Sequence, residues 1–212
     1  MKASFVKVLF DSNNLFQCEY VDLAYFNHPW HFHPEYELTL ILESSGIRYV
    51  GNHVTRFKEG DLVFIGSNLP HLWHNDKQDL SKSNTRSRAI VIQFSKNFIN
   101  HLFQNSTEIN TLKTLFNNSK KGIFFSEEIS SVIAPYLLKI YKEKGLKKWE
   151  LVFKVLDLLA NTNDYKLLCS SDYHPKLVLK DNDIMNKIFI HIRNNIENKI
   201  ELETIAKIAC LS

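Results

Sequence analysis

From His31 to Leu42 the chain reads HFHPEYELTLIL, and this run narrows the choice of fold sharply. In an extended strand, side chains two residues apart share a face. His31, His33, Glu35 and Glu37 then point one way, with Thr39 and Ile41 continuing that face. Tyr36, Leu38, Leu40 and Leu42 point the other way. Bulky apolar groups on both faces require a strand that is covered on both sides. A polar cluster on a covered face is costly unless it is paired, hydrated or bound to metal. The chain must therefore fold into layered β-structure with a polar site inside it.

The surrounding sequence supplies the layers. The runs LAYF, IRYVG, DLVFIG and RAIVIQF are strand-like, and clusters such as GNH and KEGD separate them. This spacing predicts an antiparallel sandwich or small barrel over about residues 1–100. The polar segment from Asp76 to Arg88 reads as a surface loop. In GDLVFIGSNLPHLWHN, His71 ends a second strand and turn, with Trp73 close behind it.

Together His31, His33, Glu37 and His71 stand in the order HxHxxxE…H, which resembles the cupin superfamily, a small jelly-roll β-barrel with its site in the barrel mouth. The later motif matches at Gly60, His71 and Asn75 and departs at Gly66 and Asn68, where cupins usually have Pro and Gly. Three neutral imidazoles and a carboxylate leave open positions on a divalent transition metal. The same groups can hydrogen-bond an organic ligand without metal. The residues leave both occupants open. The pocket expected from them comprises His31, His33, Glu35, Glu37, His71 and Trp73, with His28 and His74 at its rim.

A helical zone follows. Ile129, Val132, Ile133, Tyr136, Leu137 and Ile140 keep the rhythm of one helix face, and Ser126 before Glu127 and Glu128 is a natural N-cap. Pro135 argues for a kink or a later start. A second helix over about residues 148–160 carries Trp149, Val152, Phe153, Leu156 and Leu159, and beside them Leu151, Val155 and Leu158. That second stripe needs a further partner, either within its own domain or in a second subunit. The expectation adopted is a homodimer formed through Leu151, Val155 and Leu158.

Residues 166–182 read as a linker that closes a sensing and dimerisation domain of residues 1–165. Asp183 can cap a helix with Ile184, Ile188, Ile192 and Ile196 at i+4 spacing. ELETIAKIACLS then starts another, with Leu202, Ile205, Ala206 and Ala209 on one face. A β-rich half with a cupin-like motif, two helices, a linker and the pattern IELETIAKIACLS resemble the AraC family of bacterial transcription regulators. In that resemblance residues 183–212 are the truncated start of a helix-turn-helix domain. Ala206 and Ser212 match its motif, and Cys210 stands where Gly is common.

The resemblance implies a cytoplasmic, non-enzymatic sensor of a small metabolite, sugars being one such class. The parent protein would bind promoter DNA. This stretch would not, because its basic and acidic residues from Asp181 onward give no positive surplus. Composition agrees with a globular chain, at 44% hydrophobic and 23% charged with a net charge of +3. Cys18, Cys169 and Cys210 are too scattered for a disulfide framework or zinc knuckle, and no run is apolar enough for a membrane span. The rival function is a metal-dependent cupin enzyme, a dioxygenase or sugar isomerase, with Glu35 available as a base.

Overall fold

The computed structural model describes residues 3–8, 14–26, 28–75, 86–96, 109–173, 191 and 201–208. Of the segment expected as a loop from Asp76 to Arg88, residues 76–85 lie outside the described residues, as do most of the helix expected from Asp183 and the motif residue Ser212, while Ser87 and Arg88 belong to a strand.

The β-rich half forms two sheets. One joins β1 (Ser4–Phe5), β3 (His31–Phe32), β8 (His71–Asn75), β5 (Gly46–Val50) and β6 (His53–Phe57) in that order. The other runs β11 (Tyr165–Leu167), β10 (Ile123–Phe125), β7 (Leu62–Ile65), β4 (Tyr36–Glu43), β9 (Ser87–Phe94) and β2 (Phe16–Leu23). All these pairings are antiparallel except β1 with β3. The central strand β4 alternates as its sequence predicts. Leu38 and Leu40 turn outward, joining Leu62, Phe64, Ile90 and Ile92 in one buried cluster. Ile41 turns inward, where Val63, Ile65 and Ala89 meet Val50, Phe57 and Trp73 from the facing sheet.

The outward cluster is closed by helices. α1 (Asn110–Asn118) contributes Leu115 and Phe116. α2 (Glu127–Lys142) contributes Ile133, Leu137 and Ile140. α3 (Gly145–Ala160) contributes Leu151, Val152, Val155, Leu156 and Leu159. The Ser126 side chain caps α2 by accepting the Ile129 N–H at 3.3 Å, as expected. Pro135 neither delays nor ends the helix. It sits on the exposed side, where the carbonyl it leaves without a donor is one that water can reach.

Two expectations change. Leu151 and Val155 are 8% and 1% exposed within this single chain. The stripe assigned to a second subunit is therefore mostly the domain's own core, and only Leu158 of the three is half-buried. Residues 166–173, read as linker, are instead joined to the sandwich. β11 pairs with β10, and Leu168 and Cys169 are buried between the sheets. Beyond them, α4 (Leu202–Ile208) forms as predicted and contains Ala206, and it has no buried residue.

Candidate functional site

The run HFHPEYEL is not one strand. β3 ends at Phe32 in one sheet, β4 begins at Tyr36 in the other, and residues 33–35 cross between them. This crossing carries His33 and Glu37 to the inside along with His31, so the parity argument reaches the right residues through a different path. His31 is the direct cross-strand partner of His71. Their rings lie 4.3 Å apart between centroids, and His33 stands 5.0 Å from His71. One ligand atom from each of His31, His33 and His71 lies within 4.8 Å of the other two.

Each imidazole is held by its second nitrogen or by a carboxylate. His31 Nδ1 meets the Pro29 carbonyl at 2.8 Å, and His71 Nδ1 meets the Leu69 carbonyl at 2.8 Å. Both contacts are to the residue two places earlier, and both aim the remaining nitrogen at the cluster. His33 Nε2 lies 3.1 Å from Glu37 Oε2. Gln93 donates to the same oxygen at 2.9 Å, and Gln17 donates to Gln93 Oε1 at 2.8 Å. Thr39 donates to Glu37 Oε1 at 2.8 Å, and that oxygen is 3.8 Å from His71 Nε2.

The electrostatics follow from this geometry. Burial, reinforced by neighbouring His31, pushes His71 down to about 3. Burial also lowers His31. Burial works against the proton on His33 too, but the hydrogen bond and charge of Glu37 outweigh it and hold His33 above its ordinary value. Burial would raise Glu37. The hydrogen bond from His33, the imidazoles around it and Gln93 hold it well below the usual carboxylate range.

These residues fit a divalent metal. His71 Nε2 is buried without a hydrogen-bond partner, an orphaned acceptor at the centre of the cluster. Two rings are kept neutral, the state a metal requires, and their other nitrogens are fixed by carbonyls in the manner of oriented metal ligands. Glu37 is fully engaged by His33, Gln93 and Thr39, so in this arrangement it orients the cluster.

Of the cluster, His31, His33 and Glu37 line a cavity of about 120 Å³ between the sheets together with Trp73, whereas His71, also expected in the pocket, lies outside its lining. Trp73 is 8% exposed and its ring lies 5.7 Å from that of His71. Glu35 does not line the cavity. Its Oε2 lies 3.6 Å from His33 Nδ1, on the other ring nitrogen from Glu37. His28 is exposed at the cavity edge, and His74 is exposed but not part of it. Sequence reasoning missed Gln93 and the apolar wall of Val6, Val8, Val21, Ala89 and Val91. In RAIVIQF, Ala89, Val91 and Gln93 share one face, and a glutamine at that parity was the available signal.

The departures from the cupin pattern have local explanations. Asn68 has φ 60°, a left-handed conformation that Gly enters freely and Asn tolerates. Its N–H donates to the His33 carbonyl at 2.8 Å. A Cβ on Gly66 would lie 2.6 Å from the backbone of Ser119 and Lys120, so only glycine lets that turn approach β7. Asn75 is a structural clamp, accepting the Phe26 N–H at 2.7 Å and donating to Ser87 Oγ at 2.9 Å.

Comparison with known proteins finds one family model and several similar solved structures. The family model for the cupin domain matches residues 25–81. No curated protein sequence matches the chain. A solved structure of unsaturated fatty acid bound ToxT from Vibrio cholerae is similar at 14% identity and TM-score 0.49, covering 96% of this chain and 72% of that one. The AraC-like transcriptional activator CuxR is similar at 13% identity and TM-score 0.41, covering 85% and 58%. A cupin 2 conserved barrel domain protein from Salinispora arenicola is similar at 15% identity and TM-score 0.34, covering 44% and 75%. Among the described residues, no helix is long and apolar enough to cross a membrane.

Proposed function

We propose that this chain is the sensor portion of a ligand-responsive transcription regulator, and that the cavity between its sheets receives the effector. The observation that carries this reading is a cavity with largely apolar walls, into which His31 and His33 of the three-histidine cluster open, with His71 beside them outside its lining. At about 120 Å³ it is smaller than the roughly 300–1,000 Å³ of drug-sized ligand sites. A small effector fits, and the apolar walls favour a short carboxylic acid over a sugar, whose ring hydroxyls would lack partners there. His31, His33 and His71 would hold a divalent metal, which supplies a Lewis-acid position for an anionic head group.

In this reading the effector favours one arrangement of the helices and thereby of the DNA-binding segments of the parent protein. Dimerisation belongs to it as well. With Leu151 and Val155 assigned to the core, the contact residues on α3 become Leu146 and Phe153, exposed by 85% and 43% and seven positions apart. Changing both to Lys is expected to give a folded monomer by light scattering.

The test is thermal-shift titration with short-chain carboxylic acids and with sugars, on protein purified without chelator or affinity-column metal and analysed for bound elements. Stabilisation by an acid, lost in His71→Ala, supports the effector site. Stabilisation by neither class overturns it. The triple-histidine cluster also favours a second reading, a metal-dependent enzyme. Conversion of the bound acid to a new product, detected by mass spectrometry, would select that reading instead.

A further inference from the structure

A second cleft lies at the other edge of the sandwich, where β5 and β6 face β10 and β11. It measures about 580 Å³ and shares no lining residue with the histidine cavity. Its polar lining includes Arg48, His53, Thr55, Lys58, Asp61 and Lys166.

Strand register turns Arg48 inward, opposite Thr55 and Trp73, and leaves it 2% exposed. Its guanidinium lies 4.9 Å over the Phe124 ring and donates through Nη1 to Asp61 Oδ2 at 2.8 Å. Its Nε is buried with no partner. A guanidinium has five N–H donors, and a buried one left short of acceptors is costly. His53 Nδ1 in the same cleft is likewise buried and unpartnered. Burial, and then the positive charge of Arg48, lower the pKa of His53, so the ring is neutral and can donate from that nitrogen.

The charges do not cancel. Arg48 is matched by Asp61 and Lys58 by Glu127, and Arg56, also in the lining, has an interaction of its own. Lys166 is paired in register with Phe124, is exposed, and has no hydrogen-bond or ion-pair partner among the described residues. One unmatched ammonium, one orphaned guanidinium N–H and one unpartnered imidazole nitrogen therefore line a space whose remaining walls include Phe57, Phe124 and Leu168.

We infer that this cleft is a second ligand site, for a small organic oxyanion whose carboxylate or phosphate head meets Lys166, Arg48 and His53 and whose body lies on the aromatic wall. It is independent of the effector cavity and does not rest on the regulator reading.

Side-chain NMR of the full 212-residue chain tests it, following the Arg48 Nε–H and the imidazoles during titration with inorganic phosphate and with acetate at constant ionic strength. A saturable shift at Arg48 and His53, with His71 unmoved, is expected for at least one probe, and which probe acts identifies the head group. Lys166→Ala, a surface change that leaves the fold intact, should weaken that binding about tenfold, the order of one lost charged hydrogen bond. His53→Phe should weaken it as well. No saturable shift with either probe, an equal response to chloride, or unchanged affinity in Lys166→Ala would overturn the inference. Failure of the effector cavity would be read separately, at His71.

Discussion

A single backbone angle shows how the site tolerates an unusual sequence. Asn68 holds φ 60° and donates its N–H to the carbonyl of His33, so this turn helps to place one of the three imidazoles. Asn68→Gly should leave stability within a few tenths of a kcal/mol, whereas Asn68→Val should cost about 1–3 kcal/mol, because a β-branched residue is strained in that region. Urea unfolding of the two variants checks this. The imidazoles also set a pH dependence in metal-free protein. His71 has its folded pKa lowered from 6.5 to about 3, so the unfolded chain takes up this proton first. Stability from this group therefore falls as pH drops from 6.5 towards 3, by about 1.4 kcal/mol per pH unit. Glu37, with a lowered pKa, adds stability above its ordinary range and loses it in acid. His33, with a raised pKa, adds stability at low pH and loses it as pH rises through the raised value. His71→Gln should flatten the slope just below pH 6.5, measured by denaturant unfolding across pH.

At the scale of elements, what was legible depended on length. β4 and α2 are long enough for their period to show, and the Ser126 cap was readable because capping is local chemistry. β10 and β11 have three residues each and no period to read; β11 exists because β10 offers it an edge. A chain ending at Asp164 should therefore be less stable than one ending at Tyr173, since it loses Leu168 and Cys169 from between the sheets. Comparing their thermal midpoints tests this, and equal midpoints would return residues 166–173 to a linker. The buried and exposed faces of α3 separate by substitution. Leu151→Lys buries a charge in the core and should leave the far-ultraviolet circular dichroism of an unfolded chain. Leu146→Lys, at a position 85% exposed, should leave the fold intact.

For the molecule as a whole, the two sheets are joined where strands cross between them, and the histidine cluster sits at one such crossing. His31 and His71 belong to one sheet, Glu37 and Gln93 to the other. A ligand or metal that binds only this assembled site must stabilise the whole sandwich, by about 2.7 kcal/mol at a hundredfold excess over Kd. Cobalt or zinc should therefore raise the thermal midpoint, chelation should reverse the rise, and His71→Ala should abolish it. The amino-acid sequence by itself determined that β4 is covered on both faces, because residue alternation and the cost of burying polar groups are local constraints, and its HxHxxxE…H order pointed to His31, His33, Glu37 and His71. It also determined the Ser126 cap of α2 and the core-facing residues Ile133, Leu137 and Ile140 of that helix. Only the tertiary structure decided that Glu35 stands behind His33, that Gln93 secures Glu37, that Leu151 and Val155 face the domain's own core, and that Arg48 is buried in a second cleft. Each of these depends on which strand lies beside which, and that pairing joins residues far apart in the chain through contacts no local pattern encodes.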